Sequence, residues 1–275
     1  MHFEDKNKNI SIVADKIQIG ESVILGKNIH IRVKGEFSIG NYSRLGNNTE
    51  IYGNNVFFGE HLFNSSGLRI GGGGRQHPNA NFKIGDRCTI HNNFINVCEP
   101  VEIGNDVGLS PETSIITHGY WLSVLEGYPA SFAGVKIGNG VIIGYRSVLL
   151  MGVEIADFCV VGANSVVSKS LLQKAIYAGS PAKFIKEIKS LSLEKKQSTL
   201  LKVLEEYMPI AQYHGINPEF TVEYPKVKYR DFIFNAETFE YDGIEDEETD
   251  DLRDYIRKWG LRIYTKRPFQ SIFEW

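Results

Sequence analysis

From Ile137 onward an aliphatic residue returns at every sixth position, through Ile143, Leu149, Ile155, Val161 and Val167, with polar residues and glycines frequent between them. An amphipathic α-helix repeats every ~3.6 residues and a half-buried strand every ~2, so neither explains this spacing. A parallel β-helix does: each hexad forms one short face of a coil and points its aliphatic residue into the prism. The next residue is often glycine (Gly138, Gly144, Gly162), which turns a corner without steric conflict. The position four after the aliphatic is small or β-branched (Val141, Ser147, Val153, Cys159, Ser165) and fits inside a narrow prism.

Earlier stretches keep the register with interruptions. Ile19, Leu25 and Ile31 form one run; Ile39, Leu45, Ile51 and Phe57 form a second, shifted by two residues; Ile84 and Ile90 begin a third that slips by one before resuming at Ile103, Leu109 and Ile115. Three hexads close a coil, so residues 10–172 predict roughly seven or eight coils. The expected fold is an all-β solenoid over 1–189, interrupted by an excursion at 119–134. A capping helix and linker are expected at 190–220, from the stripe Leu193, Leu200, Leu201, Leu204 and Met208, folding back on the last coil. Residues 221–275 read as a small α+β appendage. Strands are predicted at 229–234, 238–242 and 261–264, and an acid-headed helix with Leu252, Tyr255, Ile256 and Trp259 on one face stops at Gly260.

In a solenoid the coils are scaffold, and departures from the period are where function concentrates. One departure is the glycine-rich run Gly71-Gly-Gly-Gly-Arg-Gln-His-Pro-Asn-Ala-Asn81. No Lys-Ser/Thr follows it and no helix opens there, which argues against a nucleotide-binding P-loop. It reads as a flexible connector or as a loop touching substrate. The other departure is the excursion 119–134, which carries Tyr120, Trp121, Tyr128 and Phe132, flat surfaces suited to sugar rings or a pantetheine arm, with His118 at its root. A histidine held by rigid coils beside an aromatic loop is a natural general base.

Composition narrows the classes. A net charge of −3 with 23% charged residues argues against a dedicated nucleic-acid binder. The three cysteines lack paired spacing and read as buried apolar residues of a reducing compartment. His61, His77 and His91 are isolated, so no metal site is expected. The N-terminal residues lack a signal-peptide core and no stretch reaches membrane-spanning length, which predicts a cytoplasmic chain without an integral membrane segment.

At the hexads, at the Thr117-His118 step whose loop returns through Glu126-Gly-Tyr-Pro129 to a V-K-I-G hexad, and at the ending Ala178-Gly-Ser-Pro-Ala-Lys183, the chain resembles the hexapeptide-repeat acyltransferases. That family of left-handed β-helices includes galactoside, maltose and xenobiotic acetyltransferases and polysaccharide O-acetyltransferases. The resemblance is close over about residues 80–190. It implies an acetyl-CoA-dependent O-acetyltransferase acting on a saccharide, such as a capsular or lipopolysaccharide chain or its precursor, with His118 as the single general base. It further implies coenzyme A contacts at Gly144, Tyr145, Ala163, Ser168, Lys183 and Lys186, an oxyanion-binding N–H near Gly144 or Tyr145, no metal, and a homotrimer with sites between prisms. Asn93 and Glu126 are candidate active-site partners, Glu99 or a backbone carbonyl are others for orienting His118, and Tyr120, Trp121 and Tyr128 are candidate acceptor contacts. N-acetylation of an amino-sugar nucleotide and an inactive β-helix scaffold are the alternatives. A carbonic anhydrase on the same fold would need three metal-binding histidines, which the chain lacks.

Overall fold

The hexads predict inward aliphatics, and the computed structural model, which describes residues 1–273, buries all six from Ile137 to Val167. Contacts divide the chain into two units, Met1–Ile188 and the residues from Lys189 onward. The first is a parallel β-helix with two nine-stranded faces and one seven-stranded face. Each nine-stranded face ends in an antiparallel strand, His2–Asp5 on one and Lys183–Glu187 on the other, which leaves the seven to eight coils that the spacing predicts.

Consecutive coils align like on like. Leu109 pairs with Ile143 and Ile143 with Val161; Ile115 pairs with Leu149 and Leu149 with Val167. The 119–134 excursion leaves this stack undisturbed, because Ile103 and Ile137 pair directly across it. Buried Ser147 and Ser165 hydroxyls both donate to the Gly162 carbonyl, so the small polar positions close their own hydrogen bonds inside the prism.

The corners depend on close approach. A Cβ at Gly46 would lie 1.9 Å from the Ser65 carbonyl oxygen, and one at Gly85 would lie 2.2 Å from the Asn105 side-chain oxygen. At several corners an Asn or Asp one coil on accepts the backbone N–H that follows the glycine: Asp86 N–H to Asn105, Asn105 N–H to Asn139, and Asn139 N–H to Asp157.

Two expected inward residues differ. Phe58, not Phe57, is buried: it lies seven positions after Ile51, one more than the period, and a one-residue slip exchanges the faces of a strand. Ile19 is 36% exposed because it lies on an edge strand of the first coil.

In the second unit helix α1 (Leu193–Tyr213) shares a core with the sheet and helix that follow it. Its Leu200, Val203, Leu204, Tyr207 and Ala211 form one core with Val227, Tyr229, Phe232, Phe234, Leu252, Ile256 and Ile263. The sheet is a four-stranded antiparallel meander, Phe220–Glu223, Lys226–Tyr229, Phe232–Asn235 and Tyr241–Gly243. The predicted strand 229–234 is a hairpin instead, turned at Arg230 with φ of 56°, and 261–264 forms no strand. Helix α2 (Glu247–Ile256) starts with a capping box between Asp246 and Thr249, and Gly260 ends the following turn with φ of 83°, where glycine is favoured. Its Arg253 is fully buried and bonds Asp250 at 2.9 Å.

Gly46→Ala is expected to lower stability by about 1–3 kcal/mol through forced repacking at its corner. Gly108→Ala, where an added Cβ meets nothing within 4 Å, is the matched control. Thermal melting of the two variants checks this, and equal melting points would contradict the close-approach account.

Candidate active site

His118 follows the buried strand Ser114–Ile115 and opens an antiparallel pair in which His118 faces Phe132 and Gly119 faces Ser131. The excursion is therefore anchored at its base, with one turn of 3-10 helix at Val124–Glu126. Tyr120 and Phe132 form a cluster with the imidazole: ring centroids lie 5.3 Å from His118 to Tyr120, 6.3 Å from His118 to Phe132, and 5.4 Å between the two aromatics.

The group that orients His118 is Asn96, one coil earlier on the same face. Its side-chain oxygen lies 2.7 Å from His118 Nδ1. The Asn96 amide nitrogen donates to the carbonyls of Gly71 (2.9 Å) and Gly73 (3.1 Å), which only accept, and this fixes the amide orientation. Oδ1 thus faces Nδ1, the Thr117 hydroxyl also donates to Oδ1 at 2.5 Å, and Asn96 is 1% exposed. Because an amide oxygen accepts only, the neutral ring carries its hydrogen on Nδ1 and presents a lone pair at Nε2.

Nε2 looks toward the glycine run. A Cβ at Gly73 would lie 3.2 Å from it. The loop is thus more than a connector: two of its carbonyls are tied to Asn96 and its third glycine abuts the imidazole. Neither Asn96 nor this packing was expected from the sequence.

The other predicted partners lie elsewhere. Asn93 is buried, but its oxygen accepts from the His91 N–H and its nitrogen donates to Ser110 and Thr113 carbonyls, so it braces the coil. Glu126 is exposed in the excursion, and Glu99 receives a hydrogen bond from Asn79. Trp121 and Tyr128 stand 90% and 48% exposed. His91 lies 2.9 Å from Ser65 Oγ and burial holds its pKa below the usual value; His61 stacks on Tyr42; His77 is an exposed loop residue. Burial raises all three thiols, Cys88 to about 12. Among the described residues no group of three His, Cys, Asp or Glu is placed to hold a metal.

Of the expected coenzyme A residues, Gly144, Tyr145 and Ala163 lie together at the neighbouring edge of the prism. Gly144 packs so closely that a Cβ would meet the Ala163 nitrogen at 2.4 Å. The Gly144 N–H donates to the Val161 carbonyl and is not free for an oxyanion. The Tyr145 N–H is different: Ala163 stands where other corners carry Asn or Asp, and among the described residues nothing accepts that hydrogen. The Tyr145 hydroxyl donates to Glu112 at 2.9 Å, which holds the phenol above its usual pKa. Lys183 and Lys186 are exposed on the strand Lys183–Glu187, on the face leading to this edge, while Ser168 follows Val166–Val167 on the face of His118.

No protein-family model matches the chain. Galactoside O-acetyltransferase of Escherichia coli is 32% identical over 119 residues, 42% of this chain and 56% of that enzyme. The chain therefore spans about half the length of that relative. A putative lipopolysaccharide biosynthesis O-acetyl transferase of Escherichia coli, WbbJ, is 30% identical over 146 residues, 48% of this chain and 71% of the relative. Among solved structures, AntD, an N-acyltransferase from Bacillus cereus crystallised with dTDP and coenzyme A, matches 67% of this chain and 91% of its own at 19% identity and a TM-score of 0.46. With its hexads stacked in register and two thirds of a 30%-identical relative covered, the chain belongs to the hexapeptide-repeat, left-handed β-helix acetyltransferases.

Proposed function

We propose that the protein transfers an acetyl group from acetyl-CoA to a saccharide hydroxyl, with His118 as general base. The observation that carries this reading is the Asn96–His118 contact, which leaves Nε2 as the accepting nitrogen beside a backbone without side chains. The thioester is already activated, so no enzyme nucleophile is needed. Nε2 takes the hydroxyl proton as the oxygen attacks the acetyl carbonyl; the C–S bond then breaks and the proton passes to the departing thiolate. Asn96 acts as a positioning residue. Gly144, Tyr145 and Ala163, with Ser168, Lys183 and Lys186, are our candidates for holding the coenzyme, and the unpartnered Tyr145 N–H is our candidate donor to the oxyanion in place of Gly144. Acceptor contact is assigned to Tyr120 first, with Trp121 and Tyr128 on the outer loop; Asn93 and Glu126 are left without a catalytic role.

Tyr145 with Gly144 and Ala163 occupies one edge of the prism and His118 another, so the reading calls for a neighbouring copy to bring an edge with Tyr145 toward His118. The exposed apolar tip at Trp121, Val124 and Leu125 fits burial in such an assembly. We therefore propose a homotrimer. A cytoplasmic setting accords with three unpaired thiols. No described helix is long and apolar enough to cross a membrane.

The decisive experiment is mass-spectrometric transfer from acetyl-CoA to a panel of oligosaccharides and amino-sugar nucleotides, which separates O- from N-acetylation and enzyme from inactive scaffold. His118→Ala is expected to lose at least ~10²-fold in rate while still binding coenzyme A. Near-native turnover would falsify the base assignment. Asn96→Ala should lower kcat by about 10–100-fold with little change in KM for acetyl-CoA. Asn96→Asp should restore part of the rate and move the limb of the pH–rate profile upward, because a carboxylate beside the imidazole favours its protonated, inactive form. An unshifted profile would argue against the contact's role. Light scattering is expected to give three times the chain mass, and an active monomer would exclude the shared site.

A further inference from the structure

The outer surface of the face that carries Asn96 and His118 holds two arginines stacked on aromatic rings. The Arg75 guanidinium lies 4.5 Å from the Tyr52 ring centroid, and that of Arg69 lies 5.6 Å from the Phe94 ring. The glycine run threads between these pairs and the base. A Cβ at Gly71 would lie 3.2 Å from Tyr52, one at Gly72 would lie 3.3 Å from Phe94, and one at Gly73 would lie 3.2 Å from His118. Two arginine–aromatic pairs and the imidazole therefore border one strip of bare backbone.

Several other surface arginines are paired with carboxylates: Arg87 with Asp106, Arg146 with Glu112, Arg230 with Asp246 and Arg257 with Asp254; among the described residues Arg44, over the Phe63 ring on another face, is not. Arg69 and Arg75 are exposed, and among the described residues neither forms such a pair. Glu50, the cross-strand neighbour of Arg69, does not close on it. Arg32, the neighbour of Tyr52 on the adjoining strand, is exposed and likewise without an ion pair. Stacking on a ring orders a guanidinium by its face and leaves the N–H edge free. That edge is a planar fork that matches a carboxylate or phosphate.

Resting on the reading of His118 as the base in transfer to a saccharide, we infer that the acceptor is an acidic saccharide whose carboxylate or phosphate is bound by Arg69 and Arg75. The sugar ring lies over the glycine strip, where no side chain intervenes, with a hydroxyl directed to His118 Nε2. Arg32 extends the cationic border toward the N-terminal coils.

The test uses three probes: a trisaccharide containing a uronic acid, the same trisaccharide with its carboxyl reduced to an alcohol, and a hexose 6-phosphate. Binding to the full chain is measured by titration calorimetry without acetyl-CoA, and transfer is measured separately. The acidic trisaccharide or the sugar phosphate is expected to bind at least about tenfold more tightly than the reduced trisaccharide, and added salt should narrow the gap. The tighter of the two anions identifies the charged group. In Arg69→Gln/Arg75→Gln the preference should fall to about twofold or less, with the melting temperature unchanged since both side chains are exposed. Equal binding of acidic and neutral probes, no binding of any probe, or an undiminished preference in the double variant overturns the inference. Acid-selective binding without transfer counts against the His118 reading alone, and transfer without acid preference counts against this inference alone.

Discussion

Everything in the β-helix rests on one constraint: the backbone of each coil must lie at strand-pairing distance, ~4.8 Å, from the next. The inward aliphatics stack because this spacing is uniform, and it is uniform because the corner glycines leave no Cβ between coils. Gly46, Gly85 and Gly144 each point a missing side chain at backbone or amide atoms of the following coil within 1.9–2.4 Å. Hydrophobic burial supplies the driving force, but the corners decide that it is satisfied by a prism rather than by a two-sided sheet.

That uniform spacing is also what positions the His118 imidazole. Asn96 and His118 come from successive coils of one face, so their separation is set by the same ladder that pairs Ile95 with Ile115. A hydrogen bond built on paired strands loses little further freedom, which makes it a precise support. The glycine run is fastened to the same amide. Loop, imidazole and scaffold thus share Asn96, whose amide nitrogen binds the loop carbonyls and whose oxygen meets the imidazole.

The fold was legible because its information is periodic. The residues from Ile137 to Val167 announce both the inward face and the pitch. Where one residue was inserted, as at Phe57 and Phe58, the period alone assigned the wrong face. His118 was legible because it marks a failure of the period beside aromatics. Asn96 was not, since asparagines recur through the coils as corner caps and Asn93 lies three residues away with the same composition around it. What separates them is the face each side chain occupies, which depends on strand ends that no local pattern fixes. In the C-terminal unit the stripe of α1 was visible, but the residues that complete its core, Val227 to Ile263, lie far along the chain where no local pattern names them.

The direct pairing of Ile103 with Ile137 across the excursion has a consequence for how such chains diversify. Because the coils join beneath it as though it were absent, the outer part of the segment from 119 to 134, beyond its anchored base, does not carry the register of the stack. The outer loop's length and charge are free to change without altering the register of the coils, whereas Gly71 and Asn96 are paired in the ladder. Variation can therefore accumulate on one side of the imidazole while the other side stays fixed.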